Sequence, residues 1–162
     1  MLRLRPLDRH DHQILRMFSF EAAFWRPGVP RPPREEALAD PMIARYTEGF
    51  GRPGDFAVVA QEGAQALGAA WWRYFPAEAP GYGFVDETTP EISVAVLPGR
   101  RGQGIGTALI RALGQEARDR GIGRLSLSVE RDNRAAALYM RLGFQPLAHE
   151  GDALTMVLEL NQ

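Results

Sequence analysis

At 162 residues, 45% of them hydrophobic, the chain is long enough for one compact domain with a proper core and too short for a comfortable second one. A net charge of -1, with acids and arginines spread through both halves, favours neither nucleic acid nor an anionic membrane surface as a partner. The chain has no cysteine, which excludes disulfides, thiolate catalysis and cysteine-bound metal, and with only His10, His12 and His149 no histidine metal cluster is expected.

In chain order, Leu2, Leu4 and Pro6 alternate with Arg3 and Arg5, the period of a short strand with one exposed face. No apolar stretch long enough for a signal sequence or a membrane span follows, so the expected location is the cytoplasm. From His10 to Trp25, the residues Ile14, Leu15, Phe18, Ala22 and Trp25 recur at helical spacing, with Asp8 or Asp11 able to cap the start. Four prolines and a glycine between Arg26 and Arg34 predict an irregular loop before a second helix from about Glu35 to Tyr46. Glu48 to Gly54 is turn-rich. Phe56–Gln61 and Leu67–Phe75 then read as strands of a hairpin turning at Glu62-Gly63-Ala64-Gln65. Within the second of these, Trp71, Trp72, Tyr74 and Phe75 read as core and sheet-face residues, of which alternation lets only one face reach a pocket.

Pro76 to Pro90 carries three prolines, two glycines and the acidic pair Asp86-Glu87, a loop long enough to be functional or mobile. A fourth strand is expected over Glu91–Leu97. The helix that starts at Ile105 and runs to about Arg120 puts Ile105, Ala108, Leu109, Ala112, Leu113 and Ala117 on one face, with Gly121 as its stop. Arg124–Val129 reads as a fifth strand. Asp132 or Asn133 can cap a short helix through Leu142 that Gly143 ends, and Phe144–Leu147 and Leu154–Leu160 close the sheet as an antiparallel pair.

Between the fourth strand and the long helix lies Pro98-Gly99-Arg100-Arg101-Gly102-Gln103-Gly104-Ile105-Gly106-Thr107. Strand, glycine-rich turn and helix in that order make an anion site: glycines admit a ligand to the backbone, and the unpaired N–H groups of the first helical turn point at it. A Walker loop needs a lysine, and the chain has none. The dinucleotide fingerprint G-x-G-x-x-G also fails, since Thr107 stands three after Gly104 and Leu109 three after Gly106. What remains is Arg-x-x-Gly-x-Gly, as Arg101, Gly104 and Gly106.

That stretch resembles the coenzyme-A loop of the GNAT superfamily of N-acetyltransferases, with the pattern Gln/Arg-x-x-Gly-x-Gly/Ala. The likeness is specific over Glu91 to Phe144 and rests on element order before that. It implies a single domain over residues 1–162, with an acceptor-side half over 1–90 and an acetyl-CoA-binding half over 91–162. The fold it implies is α/β: a twisted, mostly antiparallel sheet of six to seven strands, splayed between the fourth and fifth, with helices on both faces. By the same resemblance Val94, Ala95 and Val96 offer backbone groups to the pantetheine arm. Arg101, Gly102, Gln103, Gly104, Ile105, Gly106 and Thr107 hold the pyrophosphate, Asn133 lies near the cofactor arm, and Tyr139 stands by the thioester sulfur.

Acetyl transfer by direct attack needs an amine to lose a proton, an oxyanion to be stabilised and a thiolate to leave. The resemblance gives the last task to Tyr139 as proton donor, the second to a backbone N–H near Val96, and the first to Glu91, acting through a water. Each has a plainer rival: Tyr139 as an aromatic packed beside Phe144, Glu91 as a solvated carboxylate at a strand end, and the glycine loop as a mere turn. The expected function is transfer of acetyl from acetyl-CoA, as cosubstrate and without a metal, to a small-molecule or peptide amine. No nucleic acid or membrane partner is expected, and a homodimer is compatible. The alternative is a non-catalytic coenzyme-A-binding sensor or partner module. Aromatics beside Asp86 and Glu87 hint at a cationic acceptor.

Overall fold

The computed structural model describes residues 1–160. Strand β1, Leu2–Pro6, pairs antiparallel with β2, Phe56–Glu62, with Leu4 opposite Ala60. β3, Gln65–Arg73, follows after the two-residue turn Gly63-Ala64, where Gly63 takes a φ of 59 that a side chain would resist. β4 is Glu91–Val96 and β5 is Arg124–Glu130; β6, Gln145–Glu150, and β7, Ala153–Glu159, form an antiparallel pair. The seven strands lie in the order β1-β2-β3-β4-β5-β7-β6. β4 runs parallel to β5 and the two splay, their register holding at Glu91 opposite Ser126. β5 then pairs antiparallel with β7 along its length. Among the described residues no helix is long and apolar enough to cross a membrane.

Contact density separates two compact units, Met1–Trp71 with Ser93–Leu113, and Trp72–Ile92 with the residues from Gly114 onward. In the first, a 3-10 turn over Arg9–Asp11 precedes helix α1, His12–Ala23. Both candidate caps act, on the turn rather than on the helix: Asp8 Oδ1 accepts from the His10 N–H at 3.0 Å, and Asp11 Oδ2 accepts from the Asp8 N–H at 2.8 Å. The Arg5 guanidinium, 2.6 Å from Asp11, holds that carboxyl below the usual carboxylate range and ties β1 to the helix start. Leu15 and Phe18 of α1 are fully buried and pack with Ala57, Ala69, Trp71 and Ala95. Each such large apolar side chain contributes about 1.5–3 kcal/mol by leaving water.

The single helix expected from Glu35 to Tyr46 is two: α2, Arg34–Leu38, and α3, Pro41–Ala44. Asp40-Pro41 divides them. Proline cannot continue the first helix but fits the first turn of the second, and Asp40 Oδ1 caps that turn by accepting from the Met42 N–H at 2.9 Å. α1 likewise stops at Ala23, short of Trp25. On β3 the expected core residues are buried, for Ala69, Ala70, Trp71 and Trp72 are each at most 1% exposed. The Trp71 indole N–H donates to the Tyr46 carbonyl at 2.9 Å, which satisfies its polar atom in the core.

Helix α4, Ile105–Asp119, buries Ile105, Leu109, Ile110, Leu113 and Ala117. It approaches the sheet closely at Gly68, where a Cβ would stand 2.9 Å from the Ala95 carbonyl and 3.2 Å from Leu109 Cδ1. In the second unit, α5 spans Ala135–Arg141. Arg134 is already helical, so the cap is Asn133, whose Oδ1 accepts from the Ala135 N–H at 3.0 Å. β6 sits at the sheet's edge with every residue exposed, and its pairing shifts between Pro146 and Ala148.

Candidate functional site

In the first unit, β4 ends at Val96 and α4 begins at Ile105, so the chain between them is the glycine loop. Gly99, Gly102 and Gly104 take φ values of 88, 79 and 83, which L side chains rarely adopt, and a Cβ at any of the three would meet nothing within 4 Å. The loop thus offers bare backbone to open space. The first α-helical hydrogen bond of α4 runs from the Ala108 N–H to the Gly104 carbonyl, leaving the amides of Ile105, Gly106 and Thr107 without intrahelical acceptors. Two arginines flank them. Arg100 donates to Gln103 Oε1 at 3.0 Å and lies 3.5 Å from Glu62. Arg101 turns back, donating from Nε to the Val96 carbonyl at 3.2 Å, with Glu21 3.9 Å away. Glu21 in turn holds Arg31 with paired contacts of 3.1 and 3.0 Å. Of the strand residues expected at the pantetheine arm, Ala95 is buried in the core, and Val94 and Val96 are half-buried.

In the second unit, Glu91 opens β4 and is buried, not a solvated strand-end carboxylate. Its partner in the ladder is Ser126, which is 0% exposed and whose backbone N–H donates to Pro90 at 3.0 Å. The Ser126 Oγ has no hydrogen-bond partner among the described residues. Tyr139, on α5, is buried with its ring 5.8 Å from that of Phe144, and its carbonyl accepts from the Phe144 and Leu142 amides. Burial pushes its hydroxyl up to about 12, because a phenolate there would lose its water. Among the described residues none shares a hydrogen bond with that hydroxyl. Packing against Phe144, the plainer rival role, is therefore real, but it uses only the ring.

Both members of the acidic pair that hinted at a cationic acceptor have partners in the protein. Asp86 accepts from Thr88 at its hydroxyl and amide, 2.9 and 3.0 Å, and from the Arg124 guanidinium at 2.6 Å. Arg124 also donates to the Thr89 hydroxyl at 3.0 Å. The Thr89 hydroxyl first, then Arg124 and Thr88, hold the Asp86 carboxyl well below the usual range. Glu87 accepts from the Ala77 N–H at 2.7 Å and so closes the base of the loop. Gly83 fixes its middle: a Cβ there would stand 2.5 Å from the Leu127 carbonyl carbon and 2.7 Å from the Ser128 nitrogen. Sequence reasoning passed over Gly83 and Ser126. Gly83 looks like any turn glycine, and Ser126 is one of two serines alternating with apolar residues in Leu125 to Val129, so neither carries a signal of its own.

A family model described as "Acetyltransferase (GNAT) family" matches residues 14–144. The chain belongs to that family. The matched range contains the glycine loop, Glu91, Ser126, Asn133 and Tyr139. Two curated relatives are named mycothiol acetyltransferase. That of Beutenbergia cavernae is 35% identical over 119 residues, which are 72% of this chain and 37% of the relative. That of Paenarthrobacter aurescens is 33% identical over 104 residues, 64% of this chain and 31% of the relative. The match thus spans about a third of either relative's length. Among solved structures, PaiA N-acetyltransferase of Thermoplasma acidophilum, in complex with coenzyme A, is 17% identical with a TM-score of 0.69 over 98% of this chain and 99% of its own. The ribosomal-protein-alanine N-acetyltransferase of Brucella melitensis is 25% identical with a TM-score of 0.70, over 98% and 99%. At the lower of these identities the likeness speaks for the GNAT fold alone.

Proposed function

We propose that this GNAT chain transfers an acetyl group from acetyl-CoA to an amine by direct attack in a ternary complex. The observation that carries the reading is the loop from Gly99 to Gly104, three left-handed glycines open on their Cβ side at the start of a 15-residue helix. Such a loop can bring unpaired amides against a pyrophosphate, which side chains would prevent. Arg101, Gly102, Gln103, Gly104, Ile105, Gly106 and Thr107 are assigned to the phosphates, Val94, Ala95 and Val96 to the pantetheine arm, and Asn133 to a place near that arm. Its Oδ1 is spent on α5, so what Asn133 has left to offer is its amide N–H groups.

The chemistry follows from the remaining groups. The amine nitrogen bonds to the thioester carbon, the C–S bond breaks, and the proton given up by nitrogen balances the one gained by sulfur. Glu91 takes the proton from nitrogen, and the Val96 N–H is the donor assigned to the oxyanion. Tyr139 stands by the sulfur. Burial holds its hydroxyl in the protonated form, so it has a proton to offer the sulfur as charge develops there. The relatives carry different names, mycothiol acetyltransferase in one case and ribosomal-protein-alanine N-acetyltransferase in another, so the family supports the donor half of the reaction most directly.

The test is thiol release from acetyl-CoA with a panel of primary amines, followed with a thiol reagent to which the cysteine-free chain contributes no background. Amine-dependent release is expected. Tight binding of acetyl-CoA with no release across the panel would instead identify a coenzyme-A-binding module.

A further inference from the structure

A serine hydroxyl sealed in a sheet without a partner is uncommon, because leaving it unmade costs about 1–3 kcal/mol. Ser126 is in that position: it is 0% exposed, its Oγ lacks a hydrogen-bond partner among the described residues, and its own backbone N–H is taken by the Pro90 carbonyl. What lies opposite it is Glu91, 3% exposed, at the one register pair of β4 and β5. Paired residues of parallel strands project to the same face, and neighbouring strands are about 4.8 Å apart. A hydroxyl and a carboxylate so placed are within the span of one water molecule. The carboxylate has acceptor sites for several partners, so a water adds to its other contacts without displacing them.

We infer that Ser126 and Glu91 together hold one buried water, and that Ser126 is thereby a positioning residue for proton removal from the amine. The water orients the Glu91 carboxylate that takes the proton, and the serine hydroxyl fixes the water's oxygen in place. Apart from Glu91, the neighbours on the flanking strands offer no competing base at this point. Val157 stands opposite Ser126 on β7, and Arg124, two residues earlier on β5, is committed to Asp86 and Thr89. Arg73, buried at the end of β3, can only donate. The catalytic part of this inference rests on the reading of Glu91 as the base; the placement of the water does not.

The first measurement needs no acceptor: crystal structures of the chain and of Ser126→Ala at a resolution that shows ordered solvent. A water within hydrogen-bond reach of both Ser126 Oγ and the Glu91 carboxylate, absent from Ser126→Ala, is expected. A direct bond from Ser126 Oγ to a protein atom, or a water that stays when the hydroxyl is removed, overturns the inference. The second is turnover of acetyl-CoA with spermidine, an alanyl peptide and glucosamine as amines. Ser126→Ala should keep its melting temperature and its KM for acetyl-CoA and lose on the order of tenfold in kcat, less than the full effect of a general base. Ser126→Ala combined with Glu91→Gln should be no slower than Glu91→Gln alone. Losses that multiply would show that the serine acts elsewhere. Full turnover in Glu91→Gln would remove the base assignment itself, leaving the solvent density to decide the water.

Discussion

Replacing Tyr139 with phenylalanine removes one oxygen and keeps the ring that lies 5.8 Å from Phe144. Because the hydroxyl makes no hydrogen bond among the described residues, its loss should leave the melting temperature unchanged or slightly raised. If it stabilises the departing sulfur, turnover should fall on the order of 10- to 100-fold, with acetyl-CoA affinity retained. Melting curves and initial rates on one preparation check both, and full turnover with lowered stability would return Tyr139 to a packing role. The same residue governs a limb of alkaline stability. Its folded pKa, about 12, lies above the ordinary value of 10, so between these the unfolded chain loses the proton first and binds fewer protons than the native one. Stability is complete below pH 10 and lost as pH rises towards 12. Melts from pH 8 to pH 12 should show a shallower decline for Tyr139→Phe than for the parent. The tyrosine could be found from its place before Gly143-Phe144. Its missing hydrogen bond could not, since that depends on what surrounds the ring in three dimensions.

At the level of single elements, the glycine loop and the loop from Pro76 to Pro90 answer substitution differently. Gly104→Asp introduces a Cβ into open space at a φ of 83, so the fold should survive, strained by about 1–2 kcal/mol, while the new carboxylate repels the phosphates. Calorimetry should show acetyl-CoA affinity lost; retained affinity in the folded variant would defeat the phosphate assignment. Gly83→Ala has the opposite signature. Its methyl would enter the Leu127–Ser128 backbone, which cannot yield without moving β5, so about 1–3 kcal/mol of stability should go, read as a lower melting temperature. The elements themselves were largely legible. Apolar periodicity marks α4, and Gly63-Ala64 marks the β2–β3 hairpin, because such signals are local in the chain. The helix read through Asp40-Pro41 shows the opposite failing: apolar spacing outweighed a proline that should have divided it. The partners of Asp86 and Glu87 could not be read from the pair itself. Arg124 is distant in sequence from Asp86, and an acid facing a ligand reads the same as one closing a loop.

For the whole molecule, resistance to acid should depend on one such long-range contact. Asp86 has its folded pKa lowered by Thr89, Arg124 and Thr88, so over the window below its ordinary value the unfolded chain binds the extra proton. The contribution is present above about pH 4 and lost as pH falls. Asp86→Asn should therefore be less stable than the parent at neutral pH, and the gap should close on acidification, as denaturant titrations at several pH values would show. A sheet of six to seven strands was expected, and so, from the family resemblance, was the parting of β4 from β5. The state of the outer strand was not. β6 is a free border along which another extended segment could in principle be added. Pro146 has no N–H to give to such a newcomer, and the register shift between Pro146 and Ala148 bends the strand out of line. At high concentration this GNAT chain thus carries its own guard against edge-to-edge fibril growth, built from one imino acid and one misaligned residue.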